Sequence, residues 1–110
     1  MPRSDYLQKI RAHLRTAYLL SDEKIDSVLP RFLDTLCALM TNLEEFTDDD
    51  NNLEPMNRAG HALKGALLNL GLMDLADKAF LIEKYGQPNN REIEYKTVIA
   101  ELKEEITKIC

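Results

Sequence analysis

The run SDEKIDSVLPRFLDTLCALMTNLEEF, residues 21–46, places Ile25, Leu29, Phe32, Leu36, Leu39, Leu43 and Phe46 at alternating steps of four and three. That rhythm draws one continuous apolar stripe along a helix, the pattern of a helix that packs at a shallow angle on others of its kind. Ser21 is placed to cap its start, and Asp22 and Glu23 put negative charge in the first turn, where the helix dipole favours it. Pro30 removes a backbone donor within the run, so a kink there, or a division into a short lead and a long second part, is expected. The polar string Asp48-Asp49-Asp50-Asn51-Asn52 ends the helix.

The same spacing recurs on both sides of this segment. Upstream, Leu7, Ile10, Leu14 and Ala17 with Tyr18 predict a shorter helix that Ser4 would cap. Downstream, Met56, Leu63, Leu67 and Leu70 predict a helix from about Leu53 to Leu70, closed by Gly71 as a left-handed cap. Leu72, Leu75, Ala79 and Ile82 mark a fourth, which stops at Gly86-Gln87-Pro88-Asn89-Asn90, and Tyr95, Ile99, Leu102, Ile106 and Ile109 mark a fifth. No strand signal competes. Connections this short make successive helices antiparallel neighbours with their stripes inward. The expected fold is therefore all-α: an antiparallel up-and-down four-helix bundle over residues 22–110, with an additional short N-terminal helix in residues 1–20, all in one domain.

Composition agrees and narrows the possible partners. In 110 residues, 45% hydrophobic and 30% charged, there is room for one ordinary globular domain. Fourteen Lys and Arg against nineteen Asp and Glu give a net charge of −5, which disfavours nucleic acid and anionic lipid. No apolar run approaches the roughly 20 residues of a membrane helix, and Met1-Pro2-Arg3-Ser4-Asp5 lacks the layout of a signal peptide. A cytoplasmic location is expected. Cys37 sits inside an apolar helical pattern and Cys110 is the last residue; both are expected to be free thiols.

Only two histidines can carry imidazole chemistry. His13 stands beside the first stripe and is given no role. His61 differs, because Lys64 and Gly65 follow on the same face of its helix. A glycine inside a helix costs about 1 kcal/mol against alanine. Here it would remove bulk so that another protein can approach the imidazole, while Lys64 offers a cation to a phosphoryl group on the ring. A chance arrangement of the three residues is the plain alternative. The string Asp48, Asp50, Asn52 does not make a calcium loop, since Leu53 stands where the turn glycine belongs and Ala59 where the bidentate glutamate belongs. No glycine-rich phosphate loop is present, so ATP binding is not expected.

The stretch Ala59-Gly60-His61-Ala62-Leu63-Lys64-Gly65-Ala66-Leu67-Leu68-Asn69-Leu70-Gly71 resembles the signature of the histidine-containing phosphotransfer (HPt) domain. Leu72 to Glu83 resembles the helix that follows it in the family, and Arg31 to Leu36 the one before it. The resemblance covers about residues 22–110 and implies the same four-helix bundle, with His61 as phosphoacceptor. It also implies a role for Glu83, twenty-two positions on, as the side chain from the neighbouring helix that bonds the imidazole. By composition alone, Glu83 is one solvated acid among nineteen. A glutamate there is closer to the phosphotransfer domain of chemotaxis kinases than to the stand-alone type with glutamine. The chain departs from the family pattern at Ala66, where many members carry serine, and at Leu67 and Leu68, which are bulkier than usual. Leu68 and Phe80 are either an apolar docking patch or core.

The function this implies is receipt of a phosphoryl group on His61 from a receiver-domain aspartyl phosphate and delivery to another response regulator. Lys64, Gly65 and Glu83 would assist, and the chain would have no kinase activity of its own. No cofactor is expected; Mg2+ would belong to the receiver. The implied partners are receiver domains of a hybrid histidine kinase and of a response regulator. Receivers are commonly acidic near their phosphorylation site, so Lys64, with Arg58 and Lys84, has to attract them against the global charge. A monomer is expected. Beginning at Met1 and ending just after the fifth stripe favours a free-standing protein. The alternatives are a phosphoacceptor module from a hybrid or chemotaxis-type kinase, and a receiver-binding adaptor that passes no phosphate.

Overall fold

A computed structural model describes residues 1–46, 53–85 and 94–110. The Asp48–Asn52 string and the Gly86–Asn90 cluster fall outside the described residues. Five helices follow in order: α1 (Arg3–Ala17), α2 (Asp22–Glu44), α3 (Leu53–Asn69), α4 (Met73–Glu83) and α5 (Tyr95–Ile109). α2 packs on α3, α3 on α4, α4 on α5 and α5 back on α2, which closes a four-helix ring; α1 lies on α2 and α5. Cross-helix pairs run in opposite numerical directions. Arg15 meets Asp22 while Arg11 meets Asp26, and Tyr85 stacks on Tyr95 while Lys78 pairs with Glu101. The helices are therefore antiparallel neighbours. Among the described residues no helix is long and apolar enough to cross a membrane.

The stripes largely become the core. Every residue named for the fourth and fifth helices is buried, as are Met56, Leu63, Leu67 and Leu70 of the third. Gly71 takes a φ of +77°, and the amides of Gly71 and Leu72 bond back to the carbonyls of Leu68 and Leu67, a Schellman closure of α3. Ser21 caps α2 by accepting from the Lys24 amide at 3.2 Å. Tyr6 is buried on α1 and donates its hydroxyl to Glu105 of α5 at 2.8 Å; burial first, then this carboxylate, push the phenol up to about 12.

Five expectations are corrected, one of them in part. α1 starts two residues earlier than a Ser4 cap requires, because the Pro2 carbonyl accepts from the amides of Asp5 and Tyr6 and the N-cap is Pro2. Its buried face is Tyr6, Ile10 and Leu14, with Leu7 only half-buried and Ala17 and Tyr18 exposed. Of the kink or division expected at Pro30, the division does not occur, since α2 is continuous from Asp22 to Glu44. Phe32 leaves the core and is 38% exposed on the wall of a groove of about 360 Å³ shared with Leu14, Tyr18, Val28 and Asn69. Finally, Cys37 and Cys110 are not free thiols but form a disulfide, with Cα atoms 6.2 Å apart. Cys110 lies one turn beyond buried Ile106, which brings it against the side of α2 that carries Cys37.

Candidate functional site

α3 and α4 share the most extensive contact of the described helix pairs, and a glycine lies within it. A Cβ on Gly60 would lie 2.8 Å from the backbone nitrogen of Glu83 and 3.2 Å from the carbonyl oxygen of Ala79. With only hydrogen at that position, the last turn of α4 rests directly on α3. One turn earlier, the Asn57 side-chain amide donates to the carbonyls of Ile82 at 2.8 Å and Tyr85 at 3.0 Å. The Ile82 carbonyl lies in the last turn of α4, where it also accepts from the Tyr85 amide at 3.2 Å, and the Tyr85 carbonyl lies two residues past the helix end.

This contact delivers Glu83 to the residue after Gly60. One carboxylate oxygen, Oε1, meets Nδ1 of His61, and the other, Oε2, accepts from Nζ of Lys64 at 2.7 Å. The Glu83 side chain is 14% exposed and that of His61 68% exposed. Burial alone would push the Glu83 carboxyl up, but the bonds from Lys64 and His61 outweigh it and hold the group below its ordinary value. An ionised carboxylate only accepts, so the proton of the Glu83–His61 bond sits on Nδ1. In the neutral ring that leaves the lone pair on Nε2.

Lys64 has a second contact: its Nζ lies 5.1 Å from the Phe80 ring centre, and Lys84 Nζ lies 5.6 Å from the same ring. The cation expected beside the imidazole therefore rests on the carboxylate that holds the imidazole. Gly65 has nothing within 4 Å of where a Cβ would be, so the space next to this turn is open. Leu68 and Phe80 are 41% and 42% exposed, whereas Leu67 is fully buried. Arg58 is exposed on α3. Asn69, the residue after Leu68, lines the groove that holds Phe32 and Tyr18. His13 lies far along the chain from these groups and packs its ring on Gly71.

The structure thus brings His61, Lys64, Glu83 and Phe80 together, with Lys84 near the same Phe80 ring. Sequence reading missed Asn57 and Gly60. The signal for Gly60 was present, since a glycine inside a helix needs the same justification there as at position 65.

The fold and site define a helical bundle that presents one accessible imidazole, bonded from behind by an acid of the next helix. The Hpt domain family model matches residues 27–110, and the chain belongs to that family. Its role is accordingly histidine phosphotransfer in a phosphorelay, in which Hpt domains interact with receiver domains. The match begins within α2 and leaves α1 outside it. No curated protein and no solved structure gives a significant match.

Proposed function

We propose that His61 is the phosphoacceptor and that the chain relays phosphate between the receiver domain of a hybrid histidine kinase and that of a response regulator. The observation that carries this reading is the exposed imidazole whose Nδ1 is held by ionised Glu83, which leaves Nε2 as the nucleophile. Nε2 attacks the phosphorus of an aspartyl phosphate in line. The N–P bond forms, the P–O bond to the aspartyl group breaks, and the carboxylate leaves with the electron pair. The ring becomes a cation that keeps its proton on Nδ1, facing the negative charge of Glu83, so no proton has to be removed during the step. Return transfer reverses each of these changes. Lys64, held at Glu83 and Phe80, supplies the nearby cation for the phosphoryl oxygens. Mg2+ belongs to the receiver, and no cofactor belongs to this chain.

The receiver docks on the face of α3 that carries His61, where Gly65 leaves clearance. Leu68 and Phe80 supply apolar contact, and Arg58 and Lys84 supply positive charge next to an acidic partner. The test is incubation with a receiver carrying labelled phosphate. Acid-labile, base-stable label is expected on the wild type and none on His61→Gln at unchanged helicity. Label that persists on the variant overturns the assignment.

A further inference from the structure

Asn57 and Gly60 touch neither the imidazole nor the space in front of it, yet both act on the four residues of chain that contain Glu83. Gly60 lies under the Glu83 amide, and a Cβ there would be 2.8 Å from that nitrogen, where ordinary van der Waals contact begins at 3.4 Å. The obstacle is backbone, which cannot swing aside as a side-chain end can. Asn57, three residues before Gly60 and four before His61, holds the carbonyls of Ile82 and Tyr85 that flank Glu83 in the chain. The three residues Asn57, Gly60 and His61 share one face of α3. Gly60 sets how near α4 can come, Asn57 fixes the rotation of its last turn, and His61 receives the carboxylate so placed.

We propose that Asn57 and Gly60 are positioning residues for phosphotransfer: together they set the Glu83–His61 bond and through it the Nδ1–H form of the ring. This rests on the reading of His61 as phosphoacceptor. The carboxylate stem is short and Glu83 is already divided between His61 and Lys64, so α4 cannot move off without loss at one of the two bonds. Lys64 reaches from a flexible stem and follows the carboxylate; the imidazole does not. A shift of α4 is therefore felt first at Nδ1.

Gly60→Ala and Asn57→Asp test this. Alanine raises helix propensity at position 60, and aspartate keeps the shape of Asn57 while it replaces the donor with an acceptor. In each variant, nitrogen NMR of His61 is expected to show the Nδ1–H form of the wild type giving way to a mixture of tautomers. The rate of label transfer from a phosphorylated receiver is expected to fall about tenfold or more, with label still on His61. A wild-type tautomer ratio and rate in a folded variant overturns the proposal. Should Gly60→Ala fail to fold, Asn57→Asp decides by the same two readouts. The tautomer measurement needs no partner, so it distinguishes failure of this proposal from failure of the phosphoacceptor reading, which would show as a wild type that takes no label.

Discussion

Glu83 performs two tasks that pull its chemistry in different directions. It stays ionised at a position only 14% exposed, and on the proposed reading of His61 as phosphoacceptor it places that charge beside a ring that becomes a cation when it carries phosphate. Lys64 resolves the first by bonding the other oxygen, which keeps the carboxyl below its ordinary value despite burial. The sign of the linkage follows. A depressed carboxyl contributes stability that is fully present above its unfolded value near 4.5 and is lost as pH falls through the lower folded value. Glu83→Gln is therefore expected to remove part of the drop in stability below pH ~4.5, measured by urea denaturation across pH. Glu83→Ala is expected to slow phosphotransfer about tenfold or more in a folded bundle, while Glu83→Gln, which retains an oxygen for Nδ1–H, loses less. An unaltered rate in Glu83→Ala would return the residue to the solvated surface acids. His61, Lys64 and Glu83 were legible in the sequence because spacing on one helix, and family spacing between two, locate side chains. Asn57 was not, because its partners are main-chain carbonyls of another helix and leave no mark on side-chain pattern.

Each helix is shaped at its ends as much as along its stripe. Gly71 is where α3 turns into α4, and two constraints meet there: a φ of +77°, and the His13 ring in the space a Cβ would fill. A left-handed residue with a Cβ costs roughly 1–2 kcal/mol, and displacement of the ring adds to it. Gly71→Ala is expected to lower stability by about 2 kcal/mol or more in urea denaturation. With His13→Ala in the background, the added loss should shrink to the backbone part alone. Equal losses in both backgrounds would mean that the ring imposes no constraint. The sequence marks this turn plainly, because glycine after a stripe has one common reading. It marks α4 and α5 as plainly, since each is short enough that the three-and-four rhythm keeps to one face. In α2 the rhythm misleads at Phe32. A helix of 23 residues presents its stripe to more than one neighbour, and beside Phe32 the neighbours are Tyr18, past the end of α1, and Asn69, the last residue of α3. The ring is left partly exposed on the groove wall, and Met40 joins the core further along.

Across the whole molecule, α5 is secured at both ends. Tyr95 stacks on Tyr85 near its start, and near its finish Arg3 donates to the Ile109 carbonyl at 3.2 Å while Cys110 is joined to Cys37. The bond spans 73 positions and so encloses α3 and α4 entirely. Its pairing was hidden from the sequence, because periodicity tells which face of α2 and of α5 is inward but not their register, and register decides whether Cys110 falls beside Cys37. A cross-link of this span restricts the unfolded chain chiefly, which by chain entropy is worth up to about 4 kcal/mol. Reduction, or the double change Cys37→Ser with Cys110→Ser, is expected to lower the urea midpoint by a corresponding amount, and the double variant should no longer respond to reductant. The cross-link ties α2 to α5, whereas His61, Lys64 and Glu83 are built on α3 and α4. Phosphotransfer measured well below the melting transition should therefore proceed at the same rate in both redox states. If reduction slows transfer while the bundle remains folded, the ring of four helices couples α5 to the α3–α4 contact. If it leaves the urea midpoint unchanged, the disulfide contributes no stability, and packing alone holds α5 in register.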